Sequence, residues 1–276
     1  MTTFDSVYRD LLQDIMQNGA LELNERTGLH TRIRTGAHFD LDVSKAFPLL
    51  TLRKIPLKLF VAEQVWYLQG ENKLDFFQKF SRIWDDFMEE DNTVESGYGY
   101  RWRGFFGRDQ VDSLLQMLRD EPSSRQGVVV TWDPNTDGLA SAKKKNVPCV
   151  PVWVANIVNG KLNFHVIFRS NDVMLGLPHD VAGFALLLKM LAQELKVEPG
   201  MMHYSISHAH VYENHFSNAE MLLTRSNEHP DVNFELPPNC YKRALHKDES
   251  LVHEILESMQ SVYEPLPGVG RMQIAL

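Results

Sequence analysis

The 276 residues contain only two cysteines, Cys149 and Cys240, far apart and without a C-x-x-C pair. That argues against a disulfide framework and a structural zinc site, and suits a reducing compartment, so a cytoplasmic location is expected. Apolar runs of the roughly 20 residues needed to span a bilayer are missing too; the longest, residues 184–191, is interrupted by Lys189. Nor is there an excess of positive charge. A formal net charge of -8 argues against broad attraction to nucleic acid or an anionic membrane, so an anionic ligand would have to be met by a local group of arginines. Repeats, low-complexity tracts and domain linkers are also lacking. Near the start, Asp5, Asp10 and Asp14 are wrong for a signal or transit peptide, whereas Phe4, Val7, Tyr8, Leu11, Leu12 and Ile15 recur at helical spacing.

With 43% hydrophobic residues, the chain can bury a real core, and a single domain over residues 1–276 is expected. Helices are expected over 57–68, over 178–196, which opens with Pro178 and Asp180, and over 110–119, 213–224 and 250–259. The second is apolar almost all round, which marks it as a buried central helix with the sheet against it. Strands are expected over 128–132, 150–158 and 161–168, the last two joined across Asn159-Gly160, a strong type I′ hairpin signal. Cys149 would then start a strand. Runs of helices and strands without regular alternation give an α+β class with a mixed sheet. The stretches 134–138 and 265–270 read as surface loops or a mobile tail.

Three groups could carry chemistry. Asp133, Asn135, Asp137 and Gly138 match the first half of a calcium-binding loop, but Lys144 stands where a bidentate Glu is required and Lys143 to Lys145 crowd the end, so a turn is expected. His203, His208, His210 and His215 include a pair, 208 and 210, that one strand face could present as half a metal site. No acidic partner is evident nearby in sequence, so no metal is expected. The third group is Val147-Pro148-Cys149-Val150 and Arg169-Ser170-Asn171-Asp172-Val173-Met174-Leu175-Gly176-Leu177-Pro178. A lone Cys is usually a small buried hydrophobe. The hairpin, however, can return Arg169 to Cys149, where a guanidinium would favour the thiolate and could hold a phosphate.

The Pro-Cys element, the Arg-Ser-x-Asp-Val-x-Leu-Gly-Leu-Pro run and His210-Val-Tyr212-Glu-Asn-His215 resemble the motifs of the thymidylate synthase family. Glu25-Arg26-Thr27-Gly28, Phe47-Pro48-Leu49-Leu50-Thr51, Glu63 with Trp66-Tyr67-Leu68-Gln69-Gly70, Tyr98-Gly99 with Arg101-Trp102-Arg103, Ser124-Arg125 and Tyr263-Glu-Pro-Leu-Pro-Gly268 follow in family order. The resemblance implies that family's fold and a transfer of one carbon from 5,10-methylenetetrahydrofolate to C5 of a pyrimidine nucleotide. By similarity, Cys149 is the nucleophile at C6 and Glu63 organises water and proton transfers, while Tyr98, Trp84, Asp172 and Gly176 line the folate and the reacting centre. Arg26, Arg169 and Ser170 fall where the family holds the phosphate. Arg125 falls where it supplies an arginine across a homodimer, although Gln126 replaces the second arginine of the usual pair. His210 and Tyr212 match the residues that bond the sugar, and the tail ending Ile274-Ala275-Leu276 resembles the segment that closes over both ligands.

Where the synthases carry an Asn that reads the pyrimidine edge, this chain has Asp180. A carboxyl sharing a proton with N3 suits cytosine, and the pattern resembles the deoxycytidylate 5-hydroxymethylase branch, in which water traps the exocyclic methylene. The expected reaction is dCMP, methylenetetrahydrofolate and water giving 5-hydroxymethyl-dCMP and tetrahydrofolate. Thymidylate synthase activity, methylation of dCMP, CMP hydroxymethylation and a catalytically silent nucleotide-binding or RNA-binding relative stay open. So does the plain reading of Asp180 as a first-turn helix residue.

Overall fold

The computed structural model describes residues 1–138 and 147–274. In chain order its elements are α1 (Thr3–Asn18), β1 (Ala20–Asn24), β2 (Leu29–Asp42), α2 (Leu57–Gln69), the short α3 (Tyr98–Tyr100) running into a π-turn (Arg101–Phe105), α4 (Gln110–Asp120), β3 (Val128–Val130), β4 (Val152–Val158), β5 (Lys161–Phe168), β6 (Asn171–Asp172), α5 (Gly176–Leu195), β7 (Glu198–Tyr212), α6 (Phe216–Leu223), α7 (Cys240–Leu245) and α8 (Glu249–Gln260). The class is α+β. The sheet is mixed, in the order β1-β2-β7-β5-β4-β3, with β6 also pairing with β7. Among the described residues, only the β5/β7 and β6/β7 ladders are parallel.

α5 is the buried centre, with Phe184, Leu186, Leu187, Leu188 and Leu191 in the core. Tyr204 of β7 donates its hydroxyl to the Val181 carbonyl of α5 at 3.1 Å, which fixes which face of β7 looks inward. His203 and Ser205, one residue to either side, therefore face away from α5. The expected hairpin is present: Asn159 and Gly160 both have positive φ, and Val158 pairs with Lys161.

Several expectations need correction. β4 begins at Val152, so Cys149 lies ahead of the strand. Pro151 has no N–H for a ladder, and its carbonyl instead accepts from Thr131 and Trp132, which also ends β3 at Val130. α5 starts at Gly176, because Asp172 Oδ1 accepts the N–H groups of Met174 and Leu175 and turns the chain there. Asp180 thus lies beyond the first turn and does not cap the helix. Residues 213–224 divide into a 3₁₀ turn (Glu213–His215) and α6. The stretch 265–270 is tied down: Leu266 N–H reaches Thr51 O, Asn218 reaches Val269 O, and Val269 is buried.

The calcium-like stretch is a turn. Asp133 Oδ1 accepts from Asn135 N–H and Asp137 Oδ2 from Asp133 N–H; Lys143 to Lys145 lie outside the described residues, as do Ala275 and Leu276 of the tail. Asp137 pairs with Arg101 at 3.3 Å, both side chains fully buried. Among the described residues, no helix is long and apolar enough to cross a membrane.

Removing one member of a buried ion pair strands the other charge. Asp137→Ala is expected to lower the unfolding free energy by about 3–5 kcal/mol, read from the denaturant midpoint. A shift below ~1 kcal/mol would class the pair with weak surface bridges.

Candidate active site

The β4–β5 hairpin brings Arg169 to the Pro-Cys element. Arg169 N–H donates to Cys149 O at 2.9 Å, while its guanidinium reaches Pro148 O at 2.7 Å and Val147 O at 2.8 Å. The same group stands 4.0 Å from Cys149 Sγ. Burial pushes the Cys149 thiol up, Arg169 and Arg26 pull it down, and Asp180 opposes them. Burial wins, so the resting group is a thiol that must be relieved of its proton to act.

Tyr98 holds the backbone of the Pro-Cys element. Its hydroxyl oxygen accepts the N–H of Cys149 at 3.0 Å and of Val150 at 3.3 Å. Burial, then the nearby Cys149, raises its pKa well above the ordinary value, so it stays a phenol with its proton free to donate. Its placement depends on Gly99: a Cβ there would lie 2.2 Å from Tyr67 O of α2, a contact no side chain tolerates. Tyr67, Tyr98, Trp102 and Trp153 stack edge to face behind the site.

Two carboxyls complete the centre. Glu63, on α2, accepts from Trp84 Nε1 at 2.7 Å. Burial first, offset in part by that bond and aided by Asp180, pushes its pKa to about 8. Asp180, on α5, accepts from Asn171 Nδ2 at 2.7 Å, and burial pushes it to about 7. Both residues keep a partly open side. Glu63, Tyr98, Asp180 and Cys149 all lie close enough to Tyr67 to raise its pKa, so the four share one neighbourhood.

At the edge, Arg26 sits in the β1–β2 turn and its Nη2 is 3.5 Å from the Tyr212 hydroxyl. The Tyr212 ring packs on His210, with centroids 4.9 Å apart. Burial holds His210 below its usual pKa, so it is a neutral imidazole near pH 7. The β6–β7 ladder pairs it with Asp172. Ser170 is half-buried between Arg169 and Asn171. Gly176 opens α5 and Trp84 is buried beside Glu63. Arg125 stands apart: it is exposed between α4 and β3, with no ion pair among the described residues.

His208 and His210 approach each other at 3.3 Å between Nδ1 atoms. The acidic neighbour that sequence did not reveal belongs to His203: the β2–β7 register sets Asp40 opposite it, 2.6 Å away, with His38 3.1 Å from the same carboxylate. The donor atoms of His38, Asp40 and His203 lie within 4.8 Å of one another and could hold a cation, on the sheet face turned away from α5.

Sequence reasoning gave no role to three polar residues near the cleft. Asn171 binds Asp180. Arg53 donates to Met174 O and keeps a buried Nε without a partner; His179 has a buried, unpartnered Nδ1 and is held at about 3 by burial, then by Arg53. Arg53 and His179 fall within or beside the quoted motifs, and nothing in their spacing distinguishes them from core residues. Compared with known families, the chain matches the family model described as thymidylate synthase over residues 6–251.

Because Glu63 titrates higher in the fold than its ordinary 4.5, its contribution to stability is full below about 4.5 and is lost as pH rises through about 8. Glu63→Gln should therefore melt with the wild type at the acid end of that window and above it at the alkaline end. Parallel melting curves across the window would mean the carboxyl is not desolvated.

Proposed function

The chain belongs to the thymidylate synthase family, and from that premise we propose that it hydroxymethylates dCMP. Membership carries folate-dependent one-carbon transfer to a pyrimidine nucleotide, with methylenetetrahydrofolate as cosubstrate. The proposal adds the base, the sugar and the final acceptor. The observation that carries it is the partly buried Asp180 carboxyl, raised by desolvation to about 7, with one oxygen already held by an N–H donor. In its neutral form such a group offers one O–H donor and one acceptor oxygen. Cytosine presents an N3 acceptor and an N4 amino donor, so the two edges match.

In this reading Cys149 loses its proton and its sulfur bonds to C6, which makes C5 nucleophilic. Arg169 and Arg26 stabilise the thiolate and meet the nucleotide phosphate, with Ser170 beside them. Neutral His210 and the Tyr212 hydroxyl bond the sugar. A new bond joins C5 to the methylene carbon as the first of its two bonds to folate nitrogen breaks. The C5 proton then departs through water near the Tyr98 hydroxyl, its electron pair forms the exocyclic double bond, and the second carbon–nitrogen bond breaks to release tetrahydrofolate. Water then adds to the exocyclic carbon, and the C6–sulfur bond breaks to return the thiolate. Glu63, protonated near neutrality, gives and takes the protons of these steps.

The cleft suits the folate on two counts. Trp84 offers an aromatic surface beside Glu63, and the buried polar atoms of Arg53 and His179 that lack partners would be satisfied by a polar ligand or water reaching them. Asp172 and Gly176 would lie at that boundary. Arg125, exposed and distant in sequence from the other phosphate ligands, fits a role completed by a second copy in a homodimer.

Product mass tests the reaction. Incubation with dCMP and methylenetetrahydrofolate should add CH2O to the nucleotide and release tetrahydrofolate. A gain of CH2 with dihydrofolate released would make the enzyme a reductive methylase. Cys149→Ser should abolish turnover and keep nucleotide binding, and Asp180→Asn should move preference from dCMP towards dUMP. Retained turnover, or unchanged preference, would remove each residue from its role. Mixed dimers of Cys149→Ser and Arg125→Ala subunits should recover activity that neither variant has; no recovery in verified mixed dimers would place Arg125 outside the site.

A further inference from the structure

We infer that Asn171 is the positioning residue that sets base preference, by fixing which oxygen of Asp180 can carry a proton. The inference rests on the proposed reading of the base edge by Asp180. Asn171 is buried, and its amide N–H donates to Asp180 Oδ2 at 2.7 Å while its own Oδ1 is buried without a partner. The β6–β7 ladder holds it opposite Ala209, so its backbone cannot drift. Gly176 packs close to the pair: a Cβ there would stand 3.3 Å from Asp180 Oδ2 and 3.8 Å from both terminal atoms of the Asn171 amide.

A free carboxylic acid can place its proton on either oxygen, and so satisfies a cytosine edge or, with the proton exchanged, a uracil edge. The two edges are reversed patterns of donor and acceptor. An N–H donor at Oδ2 stabilises the lone pairs there and disfavours a proton on the same atom. The proton is then confined to Oδ1, and Asp180 becomes a fixed donor–acceptor pair that fits one edge only. The unpartnered Asn171 carbonyl strengthens this selection, because a buried acceptor is satisfied by an amino hydrogen and not by a carbonyl. Cytosine brings an N4 amino group; uracil brings O4.

The same hydrogen bond lowers the Asp180 pKa against the larger effect of burial. Removing it should raise that pKa. Since the neutral acid is the form that reads cytosine, the alkaline fall of kcat/KM for dCMP should move to higher pH in the variant.

The test compares wild type with Asn171→Ala and Asn171→Leu, the second alike in branching and leaving no cavity, so that an unfilled space is not mistaken for the effect. For each, kcat and KM are measured on dCMP and dUMP across pH. The dCMP:dUMP ratio of kcat/KM should fall on the order of tenfold, with dUMP gaining in absolute terms, and the alkaline limb for dCMP should move up. Equal losses on both substrates with an unmoved limb would make Asn171 a packing residue and overturn the inference. A wild type without preference for dCMP would instead overturn the base assignment. A wild-type preference for dUMP that collapses in the variants would keep Asn171 in its role while removing dCMP as the substrate.

Discussion

Desolvation of three neighbouring ionisable side chains is the constraint on which the rest of the site depends. Cys149, Glu63 and Asp180 are all pushed towards their neutral forms chiefly by burial, because a charge without water or a partner is costly. Each is then partly restored by a neighbour: a guanidinium for the thiol, an indole N–H for Glu63, an amide N–H for Asp180. The balance leaves both carboxyls titrating near neutrality, where a proton can be held or released at little cost. The same cleft in water would have two carboxylates and no resting acid.

Such tuning requires neighbours that do not move. The Arg169 guanidinium is bound to the carbonyls of Val147 and Pro148, so the Pro-Cys element and the end of β5 behave as one piece. Tyr98 accepts two backbone N–H groups from the same element, and Gly99 lets α3 approach α2 closely enough for it to do so. Asn171 and Asp172 lie on the two-residue β6, where one residue holds Asp180 and the other turns the chain into α5. The positions that tune the chemistry are thus the positions where irregular backbone joins regular elements, which is where side chains can be aimed without breaking a ladder.

Much of the frame was legible in the residues. Asn159-Gly160 specified the hairpin because both positions take positive φ at low cost. The apolar run of α5 specified a buried helix. β2 was not recognised: its outward residues, among them Arg32, Arg34 and His38, are polar and basic, and Gly36 interrupts the alternation. Its pairing with β7 alone made Asp40 a neighbour of His203, across 163 residues of sequence. The alternative reading of Asp180 as a first-turn helix residue fails because Asp172 turns the chain at Met174 and Leu175, so that α5 begins at Gly176.

By itself, the sequence determined the family, the α+β class, and the places of Cys149 and of the aspartate at 180, because these follow from ordered motifs and local backbone preferences. Tertiary structure alone decided the protonation tendencies of Glu63, Cys149 and Asp180, the bond from Asn171, and the unpartnered atoms of Arg53 and His179. The physical reason is that burial and donor geometry are set by residues distant in the chain, and a side chain's charge depends on what surrounds it rather than on what precedes it.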